Sequence, residues 1–196
     1  VSYKGDVTVG GVSIRDLAEE TLYSKITRIR HDSYLFKGTV MENLRMGRED
    51  ASEAEMLNVL RQVSLYETVM EKGGLSMQLD EKASNLSGGQ KQRLALARAI
   101  LHDSDIYIFD EATSNIDAES ENQIMKVIHG LAGTKTVFLI SHRLANVTGA
   151  DQILMIREGR IAEQGTHAEL MKMQGDYARL YTGQKELEKY TGEGAA

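Results

Sequence analysis

Ile106-Tyr107-Ile108-Phe109-Asp110-Glu111 runs an unbroken apolar stretch directly into a pair of carboxylates. A strand covered on both faces of a parallel sheet is apolar almost throughout, whereas a half-exposed strand alternates. The carboxylates then fall at the C-terminal end of the strand, where ligands settle in α/β sheets. The pair suggests a division of labour in phosphate hydrolysis. Asp110 would hold the coordination shell of Mg²⁺, and Glu111 would orient or deprotonate the attacking water. An ordinary helix start with acidic residues in its first turn accounts for the dipeptide equally well.

Working outward, Ser87-Gly88-Gly89 opens a long helix to about Leu101, in which Ala95, Ala97 and Ala99 permit close approach of neighbours. After the strand the pattern predicts a helix over 119–129, a strand over 136–140, a short helix and a strand over 153–156. Glu158-Gly159 turns the chain into a final strand near 160–163, and helices follow around 167–173 and 176–190. Strands alternating with helices predict a mostly parallel sheet covered by helices. On the N-terminal side, Tyr3 to Val12 reads as two extended stretches about a glycine turn, and Ile26 to Ile29 as a strand. Ser52 and Glu55 have capping-box spacing ahead of an apolar stripe of Met56, Leu57, Leu60 and Val63. A short helix over Tyr66–Met70 and a loop over 75–85 complete a helical lobe. The divisions expected are 1–46, the remainder of an N-terminal core; 47–101, a helical subdomain; and 102–196, the second half of the core.

Two glycines at a helix start leave backbone amides unshielded, and Ser87 adds a hydroxyl, so Ser87, Gly88, Gly89 and Gln90 form a candidate phosphate-binding surface. A flexible cap is the other reading. His142 follows strand 136–140 at the same sheet edge as Glu111, where an imidazole can meet a phosphate oxygen or the water-orienting carboxylate; a structural histidine fits as well. His102, His129 and His167 are read as surface or capping groups. The absence of cysteine excludes disulfides and thiol chemistry, and a net charge of −6 argues against an electrostatically driven nucleic-acid partner. The longest apolar runs, such as Ile153–Ile156, are far too short to span a bilayer. The chain also has no proline, for which there is no physical account.

Taken together these segments resemble the ATPase domain of ABC transporters. Leu86-Ser87-Gly88-Gly89-Gln90 is similar to the family's signature motif, and Ile106–Asp110 to its Walker B strand, with Glu111 at the catalytic glutamate. Ser114-Asn115-Ile116-Asp117 occupies the D-loop and Ser141-His142-Arg143 the switch loop. Leu35 to Leu44 and Gly159 to His167 look like stretches of exporter-type domains. His31 stands where the family has the Q-loop glutamine, and Gln78 to Ala83 keeps Glu81 but not the two glycines usual before the signature.

The resemblance implies a P-loop NTPase-like α/β fold with a mostly parallel sheet and a helical subdomain, the N-terminal part of the core being missing. It implies ATP and Mg²⁺ as ligands, with Glu111 and His142 catalytic, Asp110 at the metal, and Ser87, Gly88, Gly89, Gln90, Asp117 and His31 at the nucleotide. It further implies a second ABC ATPase domain in a head-to-tail dimer, a transmembrane domain as partner, no nucleic acid, and a place on the cytoplasmic face of the cell membrane, this fragment itself being soluble. No Walker A segment, GxxGxGK followed by Ser or Thr, occurs in residues 1–196. The expectation is therefore a truncated domain lacking Walker A, inactive alone, with an exposed gap beside the Walker B strand where the Walker A strand would sit. Two other functions remain open: a noncatalytic partner lending its signature face, and an ATPase of the chromosome-maintenance or repair group. The second is disfavoured because residues 37–85 leave no room for coiled-coil arms.

Overall fold

The computed structural model describes residues 5–193 and divides into two compact units, Val1–Ile140 and Ser141–Ala196. In the first unit β1 (Thr8–Val9) and β2 (Val12–Ser13) pair antiparallel across Gly10-Gly11, inside the predicted extended region; Tyr3 and Lys4 of that region lie outside the described residues. Helix α1 (Glu19–Lys25) leads without a break into β3 (Ile26–Arg30). Then come β4 (Gly38–Thr39), α2 (Val40–Arg45), α3 (Glu53–Gln62), α4 (Tyr66–Glu71) and β5 (Gln78–Leu79). The unit closes with α5 (Gly88–His102), β6 (Ile106–Asp110), α6 (Ala118–Ala132) and β7 (Thr136–Ile140).

Local chemistry explains most of these boundaries. Ser52 accepts the amide of Glu55 while Glu55 accepts that of Ser52, so α3 begins on the expected capping box. The same reciprocal pair, Thr39 with Glu42, starts α2, an element not expected from the sequence although its spacing is identical. Residues 75–85 are likewise more ordered than a loop, since β5 pairs antiparallel with β4 and two 3-10 turns flank it.

The order β3-β6-β7 forms a parallel sheet with β6 in the centre. This corrects the expected gap beside the apolar strand. Both edges of β6 are hydrogen-bonded, one to β3 and one to β7, so no place remains beside it for another strand. One face of the sheet carries Ile29, Tyr107 and Phe109, all buried among the side chains of α5 and the helical lobe. Full burial of each such side chain contributes roughly 1.5–3 kcal/mol. On α5, Leu94, Ala95, Leu96, Ala97, Ala99 and Leu101 are buried, the small residues allowing the close packing anticipated for them. At its C-terminal end His102 Nδ1 lies 2.8 Å from the Ser104 hydroxyl and 3.2 Å from that of Thr27, which ties the helix end to β3.

The second unit contains β8 (Ile153–Arg157), β9 (Arg160–Gly165), α7 (His167–Met173) and α8 (Asp176–Glu193). Its strands form an antiparallel hairpin. Ile153, Leu170 and Tyr177 make its small core, and His167 Nδ1 meets the Tyr177 hydroxyl at 2.8 Å, a packing role rather than a surface one. The hairpin turns on Glu158-Gly159 with φ of 52° and 73°. Two consecutive left-handed residues define a type I′ turn, which favours Asn-Gly. Glu158→Asn is therefore expected to stabilise the protein by roughly 0.5–1 kcal/mol, read as a rise in the midpoint of thermal unfolding.

Candidate functional site

Asp110 ends the central strand in register with Arg30 on β3 and Ile140 on β7. Its Oδ2 accepts a hydrogen bond from Arg28 Nη2 at 2.5 Å. That bond, with the charges of Arg28, Arg30 and His31, holds the carboxyl below the usual aspartate range. The next residue, Glu111, leaves the strand with φ of 52°, and its amide donates to the Ile140 carbonyl at 3.1 Å. A left-handed backbone at a residue with a Cβ costs roughly 1–3 kcal/mol and gathers at functional positions. Here it marks the point where the regular extended backbone of the strand ends.

The start of α5 separates the two signature glycines. Ser87 Oγ accepts the Gln90 amide at 3.2 Å, and Gln90 Oε1 accepts the Ser87 amide at 3.0 Å. A Cβ on Gly88 would meet nothing nearer than the Asn115 carbonyl at 4.0 Å, and the residue is exposed. On Gly89 it would stand 2.1 Å from Ser120 Oγ and 2.6 Å from Ser120 Cβ. Gly88 thus leaves backbone open to solvent, while Gly89 lets α5 lie against the start of α6. Removing the cap with Ser87→Ala is expected to cost about 1 kcal/mol, measured by chemical unfolding.

Asp117 is the N-cap of α6 and accepts the Ser120 amide at 2.8 Å. The bonds from Ser120, and the charge of Arg93, keep its carboxyl ionised below the usual range. Asn115, two residues earlier, adopts φ of 60°, a conformation that asparagine tolerates better than most residues. Lys82 and the fully buried Ala83 hold φ of 55° and 49° where the resembling family places glycine at the second position. The left-handed turn is therefore kept without the residue that adopts it most easily.

His31 is exposed and lines a cleft of about 320 Å³ with Lys82, Gly88, Lys91 and Asn115. The first unit therefore brings His31 and Gly88 to one cleft and leaves Asp117 in a capping role beside Gly89. His142 belongs to the second unit, where its carbonyl accepts Gln184 Nε2 at 2.6 Å. Three residues not singled out from the sequence tie the signature helix to its surroundings. Gln92 donates to the Arg30 carbonyl at 2.8 Å, Arg98 to the Tyr34 carbonyl at 2.9 Å, and Arg93 to the Ser64 carbonyl at 3.0 Å. A signal existed, since Gln92 and Arg93 interrupt a helix face otherwise filled by leucine and alanine. A buried polar group there needs a partner.

Among the described residues no group of three or more histidines or acids is placed to hold a metal. Mg²⁺ in nucleotide sites is held by one or two carboxylates together with substrate phosphates, and it retains several waters. A single ionised, part-exposed Asp110 at the strand end fits that chemistry.

Comparison with known proteins places this arrangement. Residues 2–114 match the family model described as ABC transporter. An uncharacterized ABC transporter ATP-binding protein of Haemophilus influenzae is 47% identical over 186 residues, covering 95% of this chain and 33% of the relative. An ATP-dependent lipid A-core flippase of Neisseria meningitidis is 40% identical over 177 residues, covering 90% and 28%. The structure of a bacterial Atm1-family ABC exporter with ATP bound superimposes with a TM-score of 0.86 at 32% identity, covering 93% of this chain and 32% of that one. The chain thus spans about a third of the length of the proteins it matches.

These matches overturn two expectations, a Walker A-deficient domain and its inactivity. They align this chain with an ABC transporter ATP-binding protein and with an exporter solved with ATP bound. In a stretch covering a third of such proteins, the lack of a glycine-rich loop within residues 1–196 is no property of the nucleotide site. The chromosome-maintenance reading falls as well, because the family matched is that of the transporters. On its matched residues, its identity to these relatives and its fold, the chain belongs to the ABC transporter family.

Proposed function

We propose that the chain is the nucleotide-binding part of an exporter-type ABC transporter, binding ATP with Mg²⁺ and coupling hydrolysis to transport across a membrane. No helix among the described residues is long and apolar enough to cross a bilayer, so the reading assigns the membrane passage to a transmembrane partner domain. The observation that carries it is the pairing, within one unit, of an open Gly88 backbone at a capped helix start with a carboxylate pair at the end of the central strand.

In this reading Asp110 holds the cation through its water shell, and Glu111 aligns the attacking water. Mg²⁺, when bound there, would supply positive charge to offset the negative charge that develops in phosphoryl transfer. Ser87, Gly88, Gly89 and Gln90 face the γ-phosphate held by a second, head-to-tail domain. A capped helix start favours an anion through its unshielded amides and the helix dipole. Asp117 fixes the D-loop, His31 takes the Q-loop position, and His142 contributes a phosphate contact from the switch loop. The three sequence divisions, 1–46, 47–101 and 102–196, are kept as the functional parts. In this reading the domain lies at the cytoplasmic face of the membrane, beside its transmembrane partner.

The test is phosphate release by the full-length protein, with ATP binding followed in parallel. Mg²⁺-dependent release that falls in Asp110→Asn supports the reading. Absence of both nucleotide binding and release overturns it.

A further inference from the structure

Arg28 lies in the middle of β3, in register with Ile108 on β6. Residues paired across parallel strands point to the same face, so Arg28, Ile108 and Asp110 share one side of the sheet. Reaching one residue further along that side, its guanidinium meets Asp110 Oδ2 at 2.5 Å. The neighbouring Arg30 is engaged elsewhere, with Nε 3.1 Å from Asp32 Oδ1. Of the two cationic side chains on this face of β3, Arg28 is therefore the one committed to the carboxylate. Asp110 is the more sheltered partner, with 26% of its side chain exposed against 57% for Arg28.

We propose that Arg28 is a positioning residue that sets the divalent-cation affinity of the nucleotide site, by competing for Asp110. This inference rests on the reading of Asp110 given above. A guanidinium and a hydrated divalent cation seek the same carboxylate oxygens, and both cannot neutralise them fully at once. While Arg28 holds Oδ2, the carboxylate is oriented and its charge is largely answered. Cation binding must loosen that ion pair, and the site saturates only when the cation concentration is high enough to do so. The exposed side of the pair keeps the exchange open, because an arginine with more than half its surface in water has somewhere to go. Without Arg28 the carboxylate carries its full charge to the cation.

The experiment is Mn²⁺ binding, followed by electron paramagnetic resonance, to the full-length protein with a non-hydrolysable ATP analogue. Arg28→Leu is expected to lower the half-saturating Mn²⁺ concentration roughly fivefold, the scale of a partly exposed ion pair. Arg28→Lys, which keeps the charge, should stay near the unsubstituted protein. Arg28→Gln should move in the same direction as leucine, and it serves if leucine at this position prevents folding. In an Asp110→Asn background, which itself binds Mn²⁺ more weakly, the change at Arg28 should have no further effect. Analogue binding in the presence of EDTA should be unaltered by Arg28→Leu, whereas a merely structural role for Arg28 would lower it. If Asp110→Asn weakens Mn²⁺ binding but Arg28→Leu leaves it unchanged or weakens it, the competition is refuted and the reading of Asp110 stands. If Asp110→Asn leaves Mn²⁺ binding unaltered, both fail together.

Discussion

Glu111→Gln in the full-length protein is expected to cut ATP turnover by about 10²–10³-fold, within the range ascribed to a positioned general base. The substitution removes a negative charge and a proton acceptor while keeping the size and reach of the side chain. The backbone at 111 already tolerates φ of 52° with a Cβ present. Its amide keeps its bond to the Ile140 carbonyl whichever side chain it carries, so the local fold should survive the change. Nucleotide binding should therefore stay close to that of the unsubstituted protein, and the loss should fall on the rate of phosphate release at saturating ATP. A turnover reduced by no more than about threefold would remove Glu111 from the chemistry. Asp110 would then be left as the carboxylate of interest at that strand end.

The second large effect separates the two signature glycines by stability. Gly89→Ala forces a methyl group to within 2.1 Å of Ser120 Oγ and 2.6 Å of its Cβ, with Asp117 Oδ2 only 3.1 Å away. Ser120 Cβ is fixed to the backbone of α6 and cannot rotate aside, so the two helix starts must part. Overpacking of this kind costs roughly 1–3 kcal/mol. The ordinary gain from replacing a helical glycine by alanine, about 1 kcal/mol, opposes it without cancelling it. Asp117 caps α6 at the same point, and its carboxylate would be displaced with Ser120. Gly88→Ala has no such neighbour and should leave stability unchanged or slightly raised. Its methyl instead covers the open amide face, so nucleotide-dependent turnover should fall. Thermal unfolding and phosphate release, measured on both variants, resolve the two roles. Equal stability losses at 88 and 89 would contradict this assignment.

Several elements were legible because their signals are local. The apolar run before Asp110, the Ser52–Glu55 cap and the Ser87-Gly88-Gly89 helix start depend on residues a few positions apart, and each forms as read. Strand 136–140 and helix 167–173 were placed at the residues where they occur. Helix α2 carries the same local signal in Thr39 and Glu42, but its 6 residues are too few for an apolar period to mark it as a helix. The residues of the candidate site were equally visible as types. Their assignment to a transporter ATPase came from the order of whole motifs, since each motif alone had an ordinary structural alternative.

By itself the sequence determined the family, the α/β class and the placing of the carboxylate pair at a strand's end, because residue order and short-range periodicity carry those directly. Only the tertiary structure decided that the central strand is paired on both edges, that Gly89 serves packing while Gly88 stays open, and that Arg28 reaches Asp110. The physical reason is distance along the chain. Strand order, helix–helix approach and an ion pair between residues 82 positions apart arise when separate segments compete for the same buried volume and the same charges. No window of neighbouring residues records the outcome of that competition.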